Sequence, residues 1–465
     1  MEGKVKLFLR SLPFYDALKG RGLFLVGGAI RDLYLGRDVR DLDFVVFGEP
    51  DPVVEELRRT IGGAVVPLDE STVRLVSDEW TIDVSRNRGE NIFEDLRLRD
   101  FTINAIAYSV DGDFIVDPMK GLSDLREGII RMASERSFQD DPLRMLRALR
   151  FRSTLGYEVE YGTYSAIVGE RENIGDVAAE RIHFELMELF GGEDFYGAVR
   201  LGIDSGLFFV IFPELEELSK PLPHVEQNIL EHTMRVLKYL NFYLNHLDMS
   251  PFLHFLSRFE NLRDRRNRAL LAIAALFHDI AKPPTYSSEN GQVHFYGHDT
   301  EGARMFRRIG KRLAFSRNEI KVVALIIANH MHPHYLSQPE VTVRAVNRFM
   351  NRLGEWAFPT VLLAFADALA TKLSGYGVSG HIKLAKIMED ILRRKEAEAS
   401  RPPRLITGYD LINLGLKPSP LFKKILQEID DLQAEGRIKT REEALKILPS
   451  IVEKYRDGKA NEGPS

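Results

Sequence analysis

Cysteine is absent from the 465 residues, and with it disulfides, Cys-ligated zinc, iron–sulfur clusters and a thiolate nucleophile. Long apolar runs are absent too: the longest, Ala269–Phe277, falls well short of the ~18 residues that span a bilayer. The N-terminal MEGKVKLFLRSLPF has no clean apolar stretch of the signal-peptide kind, because Glu2, Lys4, Lys6 and Arg10 break it up. Neither sign of charge dominates. The 63 Lys+Arg against 68 Asp+Glu leave a net −5, which argues against a protein that coats nucleic acid through bulk charge. There is no internal repeat and no low-complexity tract. What is present is a hydrophobic content of 44%, ample for buried cores, over a length that suggests about three domains. The expectation is a cytoplasmic multidomain protein with no membrane partner.

Two regions differ in pattern. In the first 120 or so residues, short apolar runs at Leu23–Gly28, Leu42–Phe47, Thr72–Val76 and Thr81–Val84 read as strands, with Asp51–Thr60 as a helix among them. Beyond Ser137 the periodicity is helical: Arg144–Leu155, Ala179–Phe190, Leu230–Leu244, Arg268–Ile280, Arg317–His330 and Val361–Leu373. Arg401-Pro402-Pro403 marks a boundary before a last helical segment, and Asp457–Ser465 reads as a frayed tail. Basic clusters at Arg263, Arg265, Arg266 and Arg268, and at Arg307, Arg308, Lys311 and Arg312, fit either phosphate patches or solvated helix faces.

The densest chemistry lies between Gly27 and Asn104. Gly27-Gly28 follows a strand and opens a helix, so the bare backbone there can approach phosphates, with Arg31 one turn on to pair with them. The same dipeptide equally serves any tight strand–helix turn. Asp41 and Asp43, at i and i+2 on a strand, project from one face. Such a pair repels itself unless a divalent cation intervenes, although a solvated turn would also carry it. Asp83, on a neighbouring strand, could complete a three-carboxylate set for two Mg²⁺ ions and in-line phosphoryl transfer.

Taken together, LVGGAIRDLYLGRDVRDLDFVV resembles the signature of class II tRNA nucleotidyltransferases and bacterial poly(A) polymerases, which carry a polymerase-β-like nucleotidyltransferase head. The resemblance continues in motif order through RDFTINAIAY (99–108), DPMKGLSDLREGIIR (117–131), DDPLRMLRALRFRSTLGYEVE (140–160) and AERIHFEL (179–186). It implies that Asp41 and Asp43 ligate catalytic metals, with Asp83 in the position of the third carboxylate. It implies that Arg99, Asp100 and Asn104 grip the ribose 2′-hydroxyl and triphosphate of the incoming nucleotide, beside Gly27, Gly28 and Arg31. The family's Arg-Arg-Asp stands here as Leu98-Arg99-Asp100, leaving Arg97 as the substitute for one phosphate contact. Asp141 and Arg144 match the amino-acid template for the base. At i and i+3 on a helix they would share a face, whether for base recognition or as an ordinary ion pair. Arg147 and Arg150 follow one and two turns on, toward the triphosphate, and Glu180-Arg181 resembles the motif that braces this helix.

His278-Asp279 ends ALLAIAALFHDIAK and is accompanied by His232, His298, His330 and Asp367. This order resembles the HD metallophosphohydrolases and implies one or two divalent ions such as Mg²⁺, Mn²⁺ or Ni²⁺, or a fold-preserving module without catalysis. His183, His254 and His381 match no motif and read as surface or packing residues. Residues 402–448 resemble the helical RNA-binding segment that closes many HD-bearing relatives.

The implied architecture is α+β: a small mixed-sheet nucleotidyltransferase head (1–132), a helical neck and body with the template helix (133–224), an HD domain (225–374) and a helical tRNA-binding tail (375–465). The implied function is addition of CC or CCA to the tRNA 3′ end from CTP and ATP with Mg²⁺. A poly(A) polymerase is the alternative within the family, and an HD phosphohydrolase with a nucleotide-binding head the alternative of another class. The acidic net charge and the lack of a long basic tail count against poly(A) synthesis. Only the seven residues Asn87–Phe93 separate Arg86 from the Glu94 that leads into RDFTINA. Full CCA-adding relatives carry a longer flexible loop there, so the short one resembles the CC-adding subgroup.

Overall fold

The computed structural model describes residues 1–225, 228–290, 292–371, 376–399 and 403–457. The tail beyond Asp457 and the Arg401-Pro402 part of the proline boundary lie outside these residues. The chain divides into two compact units, Met1–Met388 and Glu389–Ser465.

The first unit opens with a seven-stranded mixed sheet. Its strands are β1 (Phe24–Val26), β2 (Asp41–Val46), β3 (Ala64–Pro67), β4 (Thr72–Val76), β5 (Thr81–Arg86), β6 (Ala107–Ser109) and β7 (Ile115–Val116), in the spatial order β3-β4-β5-β2-β1-β6-β7. Alternation decides which face is buried: Leu42 and Phe44 on β2, Val73 and Leu75 on β4, and Ile82 and Val84 on β5 are all buried. The odd-numbered residues of β2 and β5 therefore share the opposite face. β2 and β5 are parallel, with Asp43 in register with Asp83, while the antiparallel pairs place Arg74 of β4 opposite Asp83 and Val26 of β1 opposite Asp43. One rung of the sheet thus reads Arg74, Asp83, Asp43, Val26. Helix α1 (Gly28–Leu35) leaves β1 through Gly27, α2 (Asp51–Ile61) buries Val53, Val54 and Leu57, and α3 (Ile92–Arg97) follows β5.

The remainder of this unit is almost wholly helical. α4 (Leu143–Leu155) buries Met145, Leu146, Leu149 and Phe151 and packs on α5 (Ala179–Phe190). Beyond it, α6 (Ile229–Asn245), α7 (Arg265–Phe277), α8 (His298–Arg312), α9 (Arg317–Ile327) and α10 (Ala357–Ala370) pack together. α7 and α9 begin or end a few residues away from the sequence reading. Each stops one to three residues short of the histidine that the periodicity had carried into it, and His278 and His330 turn their rings back onto carbonyls at the helix end. The segment Val343–Ala370 is long and apolar enough by composition to cross a bilayer, but 83% of its apolar window is buried inside the fold, and a 3₁₀ turn at Gly354–Trp356 divides it. In the second unit, α11 (Gly408–Asn413), α12 (Pro420–Ala434) and α13 (Arg441–Asp457) enclose Ile406, Leu411, Ile425, Ile429, Ala444 and Leu448.

Sheet and helices of the first unit meet at Phe101, which is fully buried and lies edge-to-face on Phe151 of α4 at 5.6 Å between ring centroids. Phe101→Ala should destabilise the first unit by about 3–5 kcal/mol. Calorimetry would read this as a downward shift of its thermal transition, and an unmoved transition would show that the two parts are joined elsewhere.

Candidate active site and metal centre

A cleft of about 460 Å³ opens where the sheet faces α4, lined by seven arginines (31, 88, 99, 144, 147, 150 and 181) against the carboxylates of Asp43, Asp100 and Asp141. That surplus of positive charge suits a polyanion such as a triphosphate. Gly27 sits at its mouth with φ +73°, and a Cβ there would stand 2.8 Å from Asp43 Oδ2, so both conformation and space require glycine. The N-terminus of α1 is thereby left open to the cleft, its free amides available to an anion.

The structure brings Asp41, Asp43 and Asp83 to one face, as the strand period predicts. Asp41 is exposed and Asp43 half-buried. Burial pushes the Asp43 carboxyl above its ordinary value, opposed by Arg99 and reinforced by Asp83 and Asp41. A divalent cation would relieve that crowding, so the oxygen-only donor set fits Mg²⁺. Asp83 differs from its neighbours in one respect that the sequence did not signal. Arg74 Nε and Nη2 grip its two oxygens at 2.7 and 2.8 Å, so its lone pairs toward that side are already taken.

A continuous polar chain crosses from sheet to helix. Arg31 Nη1 donates to Asn104 Oδ1 (2.7 Å), and Asn104 Nδ2 to Asp100 Oδ1 (3.0 Å). Arg147 donates from Nε (3.0 Å) and Nη2 (2.6 Å) to Asp100 Oδ2 and from Nη1 to Glu185 (3.2 Å), and Arg150 meets the other Glu185 oxygen at 2.8 Å. Arg31, Arg147 and Arg150 all lie over the Phe151 ring. Burial alone would raise the Asp100 carboxyl; Arg147, with hydrogen bonds from Asn104 and the Phe101 amide, brings it down to about 2. Both Asp100 oxygens therefore carry hydrogen bonds within the protein.

The template pair requires a correction. Asp141 is not on the helix with Arg144: it is extended (φ −151°, ψ 100°) between two helices, because Pro142 disfavours helical backbone in the residue before it. Its side chain meets Arg181 Nη2 at 2.8 Å rather than Arg144, consistent with the bracing expected of Glu180-Arg181. Arg144 instead donates to the carbonyls of Leu98 (2.8 Å) and Arg99 (3.3 Å). Both residues still face the cleft. Arg97 is exposed, and the second arginine beside Arg99 is Arg88, which the sequence reading missed. Arg88 and Arg99 share the buried carboxylate of Asp95, which they hold below its ordinary value against the upward push of burial.

The helical part gathers all six of its expected ligands. His232, His278 and Asp367 form one group, and Asp279, His298 and His330 another, each with its ligand atoms within 4.8 Å of one another. Asp279 joins them: its Oδ2 is 3.2 Å from His278, and its Oδ1 is 3.5 and 3.7 Å from His298 and His330. The tautomers follow from helix ends. Nδ1 of His278, His298 and His330 each lies 2.7–2.8 Å from a backbone carbonyl three residues back, so Nδ1 donates and Nε2 presents its lone pair inward. Nε2 of His298 and of His330 then face each other at 3.2 Å, and the buried His278 Nε2 faces Asp279 Oδ2 at the same distance. Imidazole nitrogens and carboxylates turned on one another in this way fit a divalent metal. Burial, then the neighbouring His278, lowers His330 to about 3, which keeps it neutral and able to ligate. Two further residues, His334 on Asp367 Oδ2 (2.9 Å) and Lys282 on Asp279 Oδ2 (2.6 Å), support the ligands and carry no signal in the sequence.

The basic clusters mostly pair within the fold: Arg265 with Glu188, Arg266 with Glu319, Arg308 with Glu301 and Arg312 with Glu214. His183 also binds Glu319, at 3.2 Å, as a packing residue.

Because Asp100 has a depressed folded-state value, it contributes stability above pH 4 that is lost as pH falls toward about 2. Asp100→Asn should therefore be less stable than the parent by about 2 kcal/mol near neutrality, with roughly half of that difference gone by pH 3. Thermal denaturation of both proteins between pH 7 and 3 reads it, and a difference that stays constant would place the stabilisation elsewhere.

Comparison with known proteins follows this geometry. Residues 23–131 match the Poly A polymerase head domain, 156–218 the probable RNA- and SrmB-binding site of polymerase A, and 229–435 the HD domain. The chain is 31% identical over 436 residues to an A-adding tRNA nucleotidyltransferase of Deinococcus radiodurans (91% of this chain, 94% of the relative). It is also 31% identical over 455 residues to a CC-adding tRNA nucleotidyltransferase of Thermus thermophilus (94% and 95%). In fold it is similar to a CCA-adding enzyme of Thermotoga maritima solved in complex with tRNA, with a TM-score of 0.59 at 21% identity over 96% of this chain and 95% of that one. On that full-length similarity, with its carboxylate face and arginine cleft in place, the chain belongs to the tRNA nucleotidyltransferases and is an RNA nucleotidyltransferase.

Proposed function

We propose that this chain adds two cytidines, from CTP, to the 3′ end of tRNA and then stops. The observation that carries the reading is the short connection Asn87–Phe93, which is tied at both ends: the Asn87 amide bonds to the Val46 carbonyl (2.9 Å) and the Glu90 amide to Glu94 Oε2 (2.8 Å). A segment so held lacks the length and freedom for the rearrangement that a change from C to A would need. The same tie is compatible with a site fixed for A, the specificity named for the Deinococcus radiodurans relative.

The chemistry follows from the cleft. The RNA 3′-oxygen bonds to the α-phosphorus of the nucleotide as the bond to the β-phosphate breaks and pyrophosphate leaves. Asp41 and Asp43 would hold Mg²⁺, which when bound neutralises phosphate charge and favours in-line attack. Asp83 would join them through the lone pairs turned away from Arg74. Arg31, Arg99, Arg147 and Arg150, with Gly27, Gly28 and the open end of α1, take the triphosphate; Asn104 positions Arg31 and Asp100 positions Arg147. Arg144 and Asp141 read the base, Asp141 steadied by Arg181. In the helical part, His232, His278, Asp279, His298, His330 and Asp367 would hold a divalent ion such as Mg²⁺, Mn²⁺ or Ni²⁺ for phosphoester hydrolysis. We assign the head to 1–132, neck and body to 133–224, the HD domain to 225–374 and an RNA-binding tail to 375–465, acting in the cytoplasm.

Incubation with Mg²⁺, CTP and ATP should extend tRNA lacking its CCA end by two cytidines and no further, read on a sequencing gel, while Asp41→Ala or Asp43→Ala gives no extension. Addition of A76 after the two cytidines, or of A alone to tRNA ending in C75, would overturn the CC reading. The two metal sets differ in ligands and lie in different elements. His278→Ala combined with Asp279→Ala should therefore abolish metal-dependent phosphodiesterase activity while tRNA extension stays within a fewfold of the parent. Loss of both in a folded variant would show that the centres are coupled.

A further inference from the structure

Asp95 is 1% exposed and lies where three parts of the head meet. Its Oδ1 accepts from the Arg88 amide (3.3 Å) and Arg88 Nε (2.9 Å), and its Oδ2 from Arg99 Nε (3.2 Å) and Nη2 (3.1 Å). Arg88 Nη2 reaches on to the Asp95 carbonyl at 3.3 Å. One buried carboxylate therefore fastens the connection after β5 to α3 and to the phosphate-facing Arg99. α3 ends at Arg97, and the two carbonyls that follow, Leu98 and Arg99, accept from the Arg144 guanidinium, whose Nη1 also reaches the Ser137 carbonyl (3.4 Å) and hydroxyl (3.2 Å). Direct polar contacts thus run from Arg88, through Asp95 and the end of α3, to the arginine that faces the base. A planar guanidinium held by two carbonyls has its remaining N–H donors aimed in a fixed direction. Arg88 and Arg99 also line a second cavity of about 290 Å³ that shares Asp43 with the main cleft, so the fastening lies beside the reacting centre.

We propose that Arg88 and Asp95 form a latch that holds Arg144 in one orientation and so fixes which base the cleft accepts. The connection is selective through this ion pair as well as through its length, and Arg88 and Asp95 are positioning residues acting through Arg144. The inference rests on the reading of the cleft as a nucleotide site with Arg144 at the base.

The test compares kcat/KM for CTP and for ATP, on the tRNA end that the parent protein extends, in Arg88→Ala, Arg88→Lys, Asp95→Asn and the double variant Arg88→Ala/Asp95→Asn. The ratio of the two values should fall about tenfold in Arg88→Ala, the scale of one well-held contact to a base edge. It should recover in part in Arg88→Lys and fall no further in the double variant than in Arg88→Ala, as expected for two members of one contact. Because both rates come from the same preparation, partial loss of folded protein cancels in the ratio. If Asp95→Asn does not fold, Arg88→Ala carries the test, its side chain being 44% exposed. An unchanged ratio, or independent and additive losses, would overturn the latch. The parent protein alone decides between CC and A addition; whichever nucleotide it prefers, the latch is read as erosion of that preference.

Discussion

The ion pair between Asp100 and Arg147 is the contact on which the nucleotide cleft depends. It joins a loop of the sheet to the middle of α4, 47 residues away in sequence, and each partner is further committed: Asp100 to Asn104 and the Phe101 amide, Arg147 to Glu185. A buried pair is stabilising only when its remaining hydrogen-bonding capacity is used, and here it is. Glu185 is shared with Arg150, and Asn104 with Arg31, so Arg147, Arg150 and Asn104 are held by two carboxylates and Arg31 by Asn104 in turn. The consequence is preorganisation: the positive groups stand in place before any anion arrives, and little ordering remains to be done on binding.

The helical centre solves a different problem with the same means. Six ligand side chains would repel or sit unsatisfied if brought together in a dry interior, yet the fold places them there and supplies the orientation from helix ends. Carbonyls left without an intrahelical donor take the Nδ1 protons of His278 and His330, and this aims the other ring nitrogens inward. Burial keeps His330 neutral, and Lys282 and His334 fix the carboxylates from behind. The head presents oxygen donors near solvent, which would suit a hard ion, whereas the helical part presents buried imidazole, which would suit a borderline one.

Local pattern made much of the architecture legible. The strand period placed Asp41 and Asp43 on one face and Asp83 beside them, and helical periodicity located α4 to α7, α9 and α10 to within a few residues, while α8 went unread. The six side chains that cluster in the helical part could be named because their order along the chain matches a known motif. Failures occurred where a single residue overrode the period. Pro142 pulled Asp141 out of the helix that was expected to carry it beside Arg144. α7 and α9 also stop one and three residues before His278 and His330, which the period had carried into them.

Residue type and spacing in the sequence were thus sufficient to say which candidate side chains share a strand face or a helix, since backbone period is a local property of φ and ψ. Only the tertiary structure decided what each one binds. Arg74 taking Asp83, Arg88 rather than Arg97 standing beside Arg99, Arg181 holding Asp141, and His334 supporting Asp367 are all choices among many arginines and histidines of equal local merit. Hydrogen bonds and ion pairs require partners within about 3 Å, and which of those residues comes that close is fixed by how strands register and helices pack, which no local pattern contains.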